Sequence, residues 1–369
     1  MSISIKTVKL QSLLSKSMKG ASQNKNYPLT NLLCIDCRDG KITLGTTDMD
    51  NYLFVSDEID SKEPFYVVVG IDLFSKLVTK FTCEEVKFAI EDNVLLVRGN
   101  GFYKIDLPLN EEGELIKFPD PIDKFFATHE GEITTSEIKY GTIDRILNTA
   151  KSSLLQAANS FDKNVVCYCG YYTWDKVIST DTNVMCCIDE PVFEEPALIN
   201  SNLMDLFALF DKEVISVSRY EDTAVFDTEN VKIYGVFMES AIREEYRIDD
   251  ILPLFSLEYG SVCSVQKDEF CRILERLSLF VGPYDDDQIK LTFTEDNIVI
   301  ESKQNNSKEL LPVMSLRDFK PFVCYINVVS LMSQVKAYEG KMIEIHFGID
   351  VAIKFVYDNT TQIIALEEA

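Results

Sequence analysis

Histidine is nearly missing from this chain: 369 residues contain only His129 and His346. A catalytic triad built on histidine, or a histidine-rich zinc site, therefore lacks its usual base or ligand. No GxxxxGK[ST] phosphate loop and no GxGxxG dinucleotide turn occurs. The nearest glycine-rich phrase, "RGNGF" (98–102), reads as a hairpin turn. "TDMDN" (47–51) resembles part of a calcium loop but lacks its glycine and distant glutamate, so it reads as a polar turn after a strand. No apolar run reaches the roughly 18 residues a membrane helix needs. The N-terminal segment scatters its lysines instead of preceding an apolar core with them, which is not a leader pattern. The expectation is an intracellular, cytoplasmic protein with no membrane association.

Cysteine is present, ten times, but without a pattern. Cys34 and Cys37 have CxxC spacing with no second pair. Cys167 and Cys169 alternate along an apparent strand, and Cys186 and Cys187 are adjacent in another. Buried reduced thiols are expected, with no metal and no cofactor.

What the sequence does contain is repetition. "VVVGIDLFSKLV" (67–78), "PALINSNLMDLF" (196–207) and "VCYINVVSLMSQV" (323–335) each run from a β-friendly stretch through Ile-Asp or Ile-Asn into a helical pattern. A strand pattern follows each: "EEVKFAI" at 84, "KEVISVS" at 212 and "KMIEIHF" at 341. A period near 128 is the size of a domain rather than of a solenoid repeat. Asp72, Asn200 and Asn327 are expected N-caps.

An earlier amphipathic helix belongs to each repeat, at 7–20, 141–157 and 266–280. The second helices are expected at 70–81, 200–212 and 327–338. Short alternating strands fill the spaces, including 40–48, 174–181 and 288–302; the first two share a Thr-Asp ending. The pattern is α+β: three similar domains, 1–126, 127–253 and 254–369, each with two helices packed on antiparallel sheets. "KFPDPIDKFF" (117–126) and "REEYRIDDILP" (243–253) are the expected linkers.

Net charge is −24, from 36 basic and 60 acidic residues. The six helices carry 12 Lys and Arg against 7 Asp and Glu, a net of +5 that leaves −29 for the rest. Helices gathered on one surface would form a basic track for phosphates on an otherwise acidic protein. The helix at 200–212 runs against the trend.

In order, spacing and total length the chain resembles the bacterial β sliding clamps, the DNA polymerase III beta subunits. The likeness runs through "NLLCIDCRDGKITLGTTDMDNYL" (31–53), "LVRGNGFYKIDLP" (96–108), "FPDP", "VISTDTNVM" (177–185), "IKLTFTEDNIVIES" and "YINVVSLMSQV". It implies a DNA-clamp fold in which two protomers close a ring around duplex DNA, with helices lining the hole and sheets outside. It implies a processivity factor and no enzyme, with no catalytic residue and no metal. The implied partners are double-stranded DNA, a second copy of the chain, and a polymerase and clamp loader that dock through short peptides.

The resemblance also assigns residues. Lys9, Lys16, Lys19, Lys76, Lys80, Arg145, Lys151, Arg272, Arg276 and Lys336 would face DNA. Phe280 and Val281 would lie at the ring seam. The peptide pocket would take Tyr168, Thr180, Thr182, Val184, Met185, Ile251, Leu252, Asn327, Ser330, Ile363, Ile364, Ala365 and Leu366, with Asn327 offering a rim hydrogen bond. Two departures stand out: the chain ends "QIIALEEA" where the family has a Met-Pro-Met-Arg-Leu-like tail, and Asn183-Val184 replace a His-Arg pair. Such divergence suits a phage or mobile-element clamp acting in a host cytoplasm. The competing reading keeps the clamp fold in an interaction protein, such as a decoy that sequesters replication proteins without encircling DNA.

Overall fold

The computed structural model describes residues 2–22, 26–61, 63–155, 163–211, 214–280, 287–302 and 307–368. Two compact units divide it: 1–140 with 202–237, and 141–201 with 238–369.

One pattern runs three times along the chain: strand, helix, four strands, helix, three strands; the third copy adds a short strand, Ser315–Arg317, that pairs with Ser261–Gln266. The first copy has strand Ser2–Lys6, helix Thr7–Ser17, strands Leu32–Arg38, Lys41–Thr47, Tyr52–Glu58 and Phe65–Gly70, helix Ile71–Val78, and strands Glu85–Glu91, Val94–Arg98 and Phe102–Asp106. The other copies begin at strands Thr134–Lys139 and Ser261–Gln266 and end at Val231–Val236 and Thr360–Ala365. Described strand pairs are antiparallel throughout. In each copy the four middle strands make one set, and the first strand joins the last three in another.

These sets fuse between copies. In the first unit Tyr52–Glu58 pairs with Val231–Val236, Val55 facing Val231, which makes an eight-stranded sheet. In the second unit Val184–Ile188 pairs with Thr360–Ala365, Val184 facing Ile364, within a nine-stranded sheet. Two four-stranded sheets remain, one ending at the strand Phe102–Asp106 and the other at Lys308–Pro312.

The six expected helices are present, mostly shorter than their periodicity suggested. Leu10, Leu13 and Leu14 are buried on one face of Thr7–Ser17, and Phe270, Ile273, Leu274 and Leu277 on one face of Lys267–Leu277. Gln11 Nε2 donates to Val78 O at 2.9 Å and Phe81 O at 3.0 Å, so it ties the first helix to the open carbonyls ending Ile71–Val78. Gly20 sits where a Cβ would stand 2.6 Å from Thr46 Oγ1, which explains glycine at that close approach. The first helix of the second copy spans Tyr140–Asn148 and gives way to a 3-10 turn at Ala150–Ser153; 156–157 lie outside the described residues.

Three expectations change. Asp72 lies inside the first turn of its helix, and Gly70 holds the N-cap position. Cys167–Cys169 form a 3-10 turn rather than a strand. Both expected linkers contain helix. Pro121–Thr128 starts at Asp120, whose carboxylate accepts from Ile122 N at 3.0 Å, with Pro121 at the position where a missing N–H costs nothing. Ser240–Glu245 and Ile248–Phe255 occupy the second linker. Between them Tyr246 is fully buried, its hydroxyl donating to Ile178 O at 3.1 Å.

The ten cysteines are unpaired thiols. Burial pushes those of Cys37, Cys263 and Cys324 up to about 12, which keeps them neutral and unreactive.

Candidate partner-binding and basic surfaces

The repeated Thr-Asp ending builds the same turn twice. Thr47 Oγ1 donates to Asn51 O at 2.7 Å and accepts from Met49 N at 2.9 Å; Asp48 Oδ1 accepts from Asn51 N at 2.7 Å. Thr180 Oγ1 donates to Val184 O at 2.8 Å and accepts from Thr182 N at 2.9 Å. Asp181 Oδ1 accepts from Asn183 N and Val184 N, both at 2.8 Å. Met49 and Thr182 take the same left-handed conformation, with φ of 91° and 81°. Thr180 is buried and works in this turn; Thr182 is exposed.

Strand alternation separates the residues expected in one groove. Val184 and Ile364 face each other across the ladder, are 1% exposed, and belong with Phe270, Leu274 and Leu331 to a large core. Leu366 packs against that same core. Met185, one residue on, points to the opposite face. It joins Tyr168, Ile251 and Leu252 in a second apolar cluster around Tyr172 and Tyr246. Ile363 pairs with Met185 and is 2% exposed. The expected apolar wall is thus divided: Val184 and Ile364 are core, while Tyr168, Met185, Ile251 and Leu252 do come together.

Ile248 and Phe255, absent from the expected set, complete that second cluster. Their signal was present, since 248, 251, 252 and 255 follow i, i+3, i+4, i+7. Pro253 and the neighbouring acids disguised it as a linker. Tyr168 lies 5.5 Å from the Tyr246 ring, and burial raises the pKa of both phenols.

Asn327 caps its helix as expected. Its Oδ1 accepts from Val329 N and Ser330 N at 3.0 Å each, so the expected rim role loses that acceptor. The last residues are held by backbone: Ala365 N donates to Asn183 O at 2.8 Å, Leu366 N to Val351 O at 3.0 Å, and Glu367 N to Tyr325 O at 2.9 Å.

The helix cations fall into two groups. Lys19, Lys76 and Lys80 are exposed and Lys16 is half-buried; among the described residues none of the four has an ion pair. Lys9 instead reaches Asp57 at 3.0 Å and Glu58 O at 2.6 Å. In the second unit Lys151 is exposed, and Arg145, Arg272, Arg276 and Lys336 each meet a carboxylate. Arg145 contacts Glu190 at 3.2 Å and Glu339 at 3.4 Å and donates to Asn359 Oδ1 at 2.6 Å. Arg272 meets Glu269 at 3.4 Å, Arg276 forks onto Glu309, and Lys336 meets Glu275 at 2.8 Å. Arg276 and Lys336 hold the Glu309 and Glu275 carboxyls below their ordinary range.

At the expected seam Phe280 ends a 3-10 turn, 46% exposed, beside Leu279 at 80%. Val281 lies outside the described residues. Phe102 and Leu310, on the two sheet-edge strands, are 51% and 57% exposed.

No protein-family model and no curated protein matches the chain. Solved structures do match over its whole length. The beta subunit from DNA polymerase of Streptococcus pyogenes superposes with a TM-score of 0.83 at 14% identity, covering 100% of both chains. DNA polymerase III subunit beta from Borrelia burgdorferi gives 0.82 at 17% identity, covering 100% of this chain and 99% of that one. The DNA polymerase sliding clamp from Bacillus subtilis gives 0.81 at 14%, with the same coverage. The chain therefore has the sliding-clamp fold, with its repeated strand-and-helix units and antiparallel sheets.

Proposed function

We propose that this protein is a DNA sliding clamp: a homodimeric ring of three-part protomers (1–126, 127–253 and 254–369) that encircles duplex DNA and tethers a polymerase without catalysing a reaction. The carrying observation is the repeated sheet junction. A middle-set strand of one copy pairs with the last strand of the next at Tyr52–Glu58 with Val231–Val236, and again at Val184–Ile188 with Thr360–Ala365. Lys308–Pro312 and Phe102–Asp106 are the corresponding strands left at sheet edges. Pairing them between two chains repeats the same junction and closes a ring. Edge strands with exposed Phe102 and Leu310 are otherwise a liability that proteins cover or charge.

The exposed Lys19, Lys76 and Lys80 and the half-buried Lys16 support contact with DNA phosphates, as does Lys151. Topological linkage makes tight binding unnecessary, so the −24 charge is no obstacle. Tyr168, Met185, Ile251 and Leu252 are the proposed peptide-anchoring patch, with a polymerase and a loader as partners in the cytoplasm.

The pairing of Arg145, Arg272, Arg276 and Lys336 with carboxylates favours a second reading, in which a clamp-fold protein binds replication proteins and never surrounds DNA. The two separate in one experiment. The protein is loaded on a nicked circular plasmid, isolated with it, and the plasmid is then linearised. Retention on the circle and loss on the linear form support the ring; no retention on the circle at low salt supports the second reading.

A further inference from the structure

The first unit holds a cavity of about 620 Å³ on its eight-stranded sheet, where Phe54 of one copy and Lys232 of the next line it together beneath 117–123. At the junction of the second unit the linker helix sends Ile251, Leu252 and Phe255 into the cluster with Met185 and Cys187. At this first junction the helix Pro121–Thr128 sets Phe125 against Tyr234, ring centroids 6.1 Å apart, and Phe54, Tyr66 and Gly45 are left lining open space.

The floor is a narrow apolar slot. At Gly45 a Cβ would stand 3.0 Å from the Phe54 ring and 3.3 Å from Cys34 Cβ, so bare backbone lies between those side chains. Phe118 closes one side, edge-on to Phe54 at 6.3 Å, and its N–H donates to the Tyr66 hydroxyl at 2.8 Å. Burial pushes the Cys34 thiol and the Tyr66 phenol up to about 12, which leaves the floor uncharged at neutral pH. The paired hydroxyls of Thr43 and Ser56, 2.9 Å apart, are the polar feature in it. A concave apolar slot with a few convergent polar groups is the usual form of a ligand site.

The rim selects by charge. Arg38 forks onto Asp36 with both contacts at 2.9 Å, and Lys232 pairs with Asp227 at 2.9 Å. Asp120 is turned onto the first amides of its helix, Ile122 N at 3.0 Å and Asp123 N at 3.4 Å. Lys41 reaches only the carbonyl of Glu229, at 2.8 Å, and Lys117 is exposed; neither has a carboxylate partner among the described residues. With Asp120 counted, over the whole lining four cations, Arg38, Lys41, Lys117 and Lys232, face three carboxylates, Asp36, Asp120 and Asp123, a net of +1 on a protein of net charge −24.

We propose that this cavity is a second docking site, separate from the Tyr168–Met185 patch, that takes a partner segment with one aromatic side chain flanked by acidic residues. The ring fills the slot beside Phe54 and Phe118, and the acidic flanks meet Lys41 and Lys117.

The test uses the full chain, labelled at isoleucine methyls, and three acetylated, amidated heptapeptides: a central Phe between aspartate pairs, the same with lysine pairs, and the aspartate peptide with Gly for Phe. The reporter is the methyl of Ile122, a half-buried lining residue assigned with Ile122→Val. The expected result is a saturable Ile122 shift with the acidic Phe peptide. The lysine and Gly peptides should each bind about tenfold more weakly, the scale of one rim-charge or anchor loss. Lys41→Glu with Lys117→Glu, both at the surface, should reverse the acidic preference. An unmoved Ile122 methyl, equal binding of the Gly peptide, or an unchanged preference in the double variant would overturn the proposal. None of these readouts depends on ring closure or DNA.

Discussion

Gln362 Nε2 donates to Gln334 Oε1 at 2.8 Å, although Gln334 is 0% and Gln362 1% exposed. The same oxygen accepts from Ser153 Oγ at 3.2 Å, while Gln334 Nε2 donates to Ser152 O at 3.1 Å. One buried amide thus ties the 3-10 turn Ala150–Ser153 and the helix Val328–Ala337 to the strand Thr360–Ala365. A buried polar group of this kind is tolerable only because its donors and acceptors are used.

Gln334→Leu takes the acceptor from Ser153 Oγ and the donor from Ser152 O, and leaves Gln362 Nε2 only its weaker 3.3 Å contact with the Gln334 backbone carbonyl. The expected loss is about 2–3 kcal/mol, since each orphaned buried group costs on the order of 1–3 kcal/mol. Adding Gln362→Leu should cost less than a second independent loss, because the under-satisfied Gln362 amide goes with it. Urea denaturation of the four forms checks this; additive losses would show that the two amides act separately.

Thr182→Gly and Met49→Gly should each stabilise by about 1 kcal/mol. Both positions have left-handed backbone, which costs a residue with a side chain roughly 1–3 kcal/mol and glycine less, set against glycine's extra chain entropy. Asp181→Ala should do the opposite, because Asn183 N and Val184 N lose their acceptor. Thermal unfolding gives the sign directly, and a destabilised Thr182→Gly would contradict the assignment of strain to that turn.

The proposed ring seam predicts separable effects on assembly and on folding. Phe280→Ala with Val281→Ala, or Leu310→Glu alone, should shift a dimer to monomer in sedimentation while leaving the unfolding midpoint nearly unchanged. Each apolar side chain lost from a seam removes about 1.5–3 kcal/mol of burial. A variant that unfolds early but stays dimeric would place these residues in a core instead.

Two sets of helix cations should respond differently to reversal. Lys16→Glu, Lys19→Glu and Lys80→Glu together should weaken DNA loading, with less effect at high salt, and leave stability intact. Arg145→Glu should destabilise the fold, since Glu190 and Glu339 then face a third carboxylate where Arg145 is only 25% exposed. Paired loading and denaturation measurements decide it; equal loss of stability in both sets would remove the distinction.

His346 gives stability a pH dependence of known sign. Burial is the larger effect and holds its imidazole below the ordinary 6.5, against the opposing contact with Glu344 Oε1 at 2.8 Å. The unfolded chain therefore takes up the proton first as pH falls. Stability from this group is complete above about 6.5 and is lost downward from there toward the lower folded value. Unfolding curves from about pH 7.5 to pH 5.5 should show that loss, and His346→Gln should flatten it.

The sequence alone determined the repeat, the six helices, most strands and the buried thiols. Those features are local: a 3.6-residue apolar period in 267–277, alternation in 288–302, and Asn327 followed by two amides it can cap. The Thr-Asp turns were legible for the same reason, since every hydrogen bond in them spans at most four residues. Only the tertiary structure decided which apolar residues share a surface. Val184 and Met185 are neighbours in sequence, but the pleat sends one into a core and the other to the opposite face. It also decided which cations are free, because Arg145 meets Glu190 and Glu339 across 45 and 194 residues of chain. The helices in both linkers needed it too: Pro121 and Pro253 read as chain breaks until Asp120 is seen capping one helix and Tyr246 pinning the approach to the other. Charge and capping signals within a turn are set by nearby residues, whereas partnership between distant side chains is set by how the sheets bring them together.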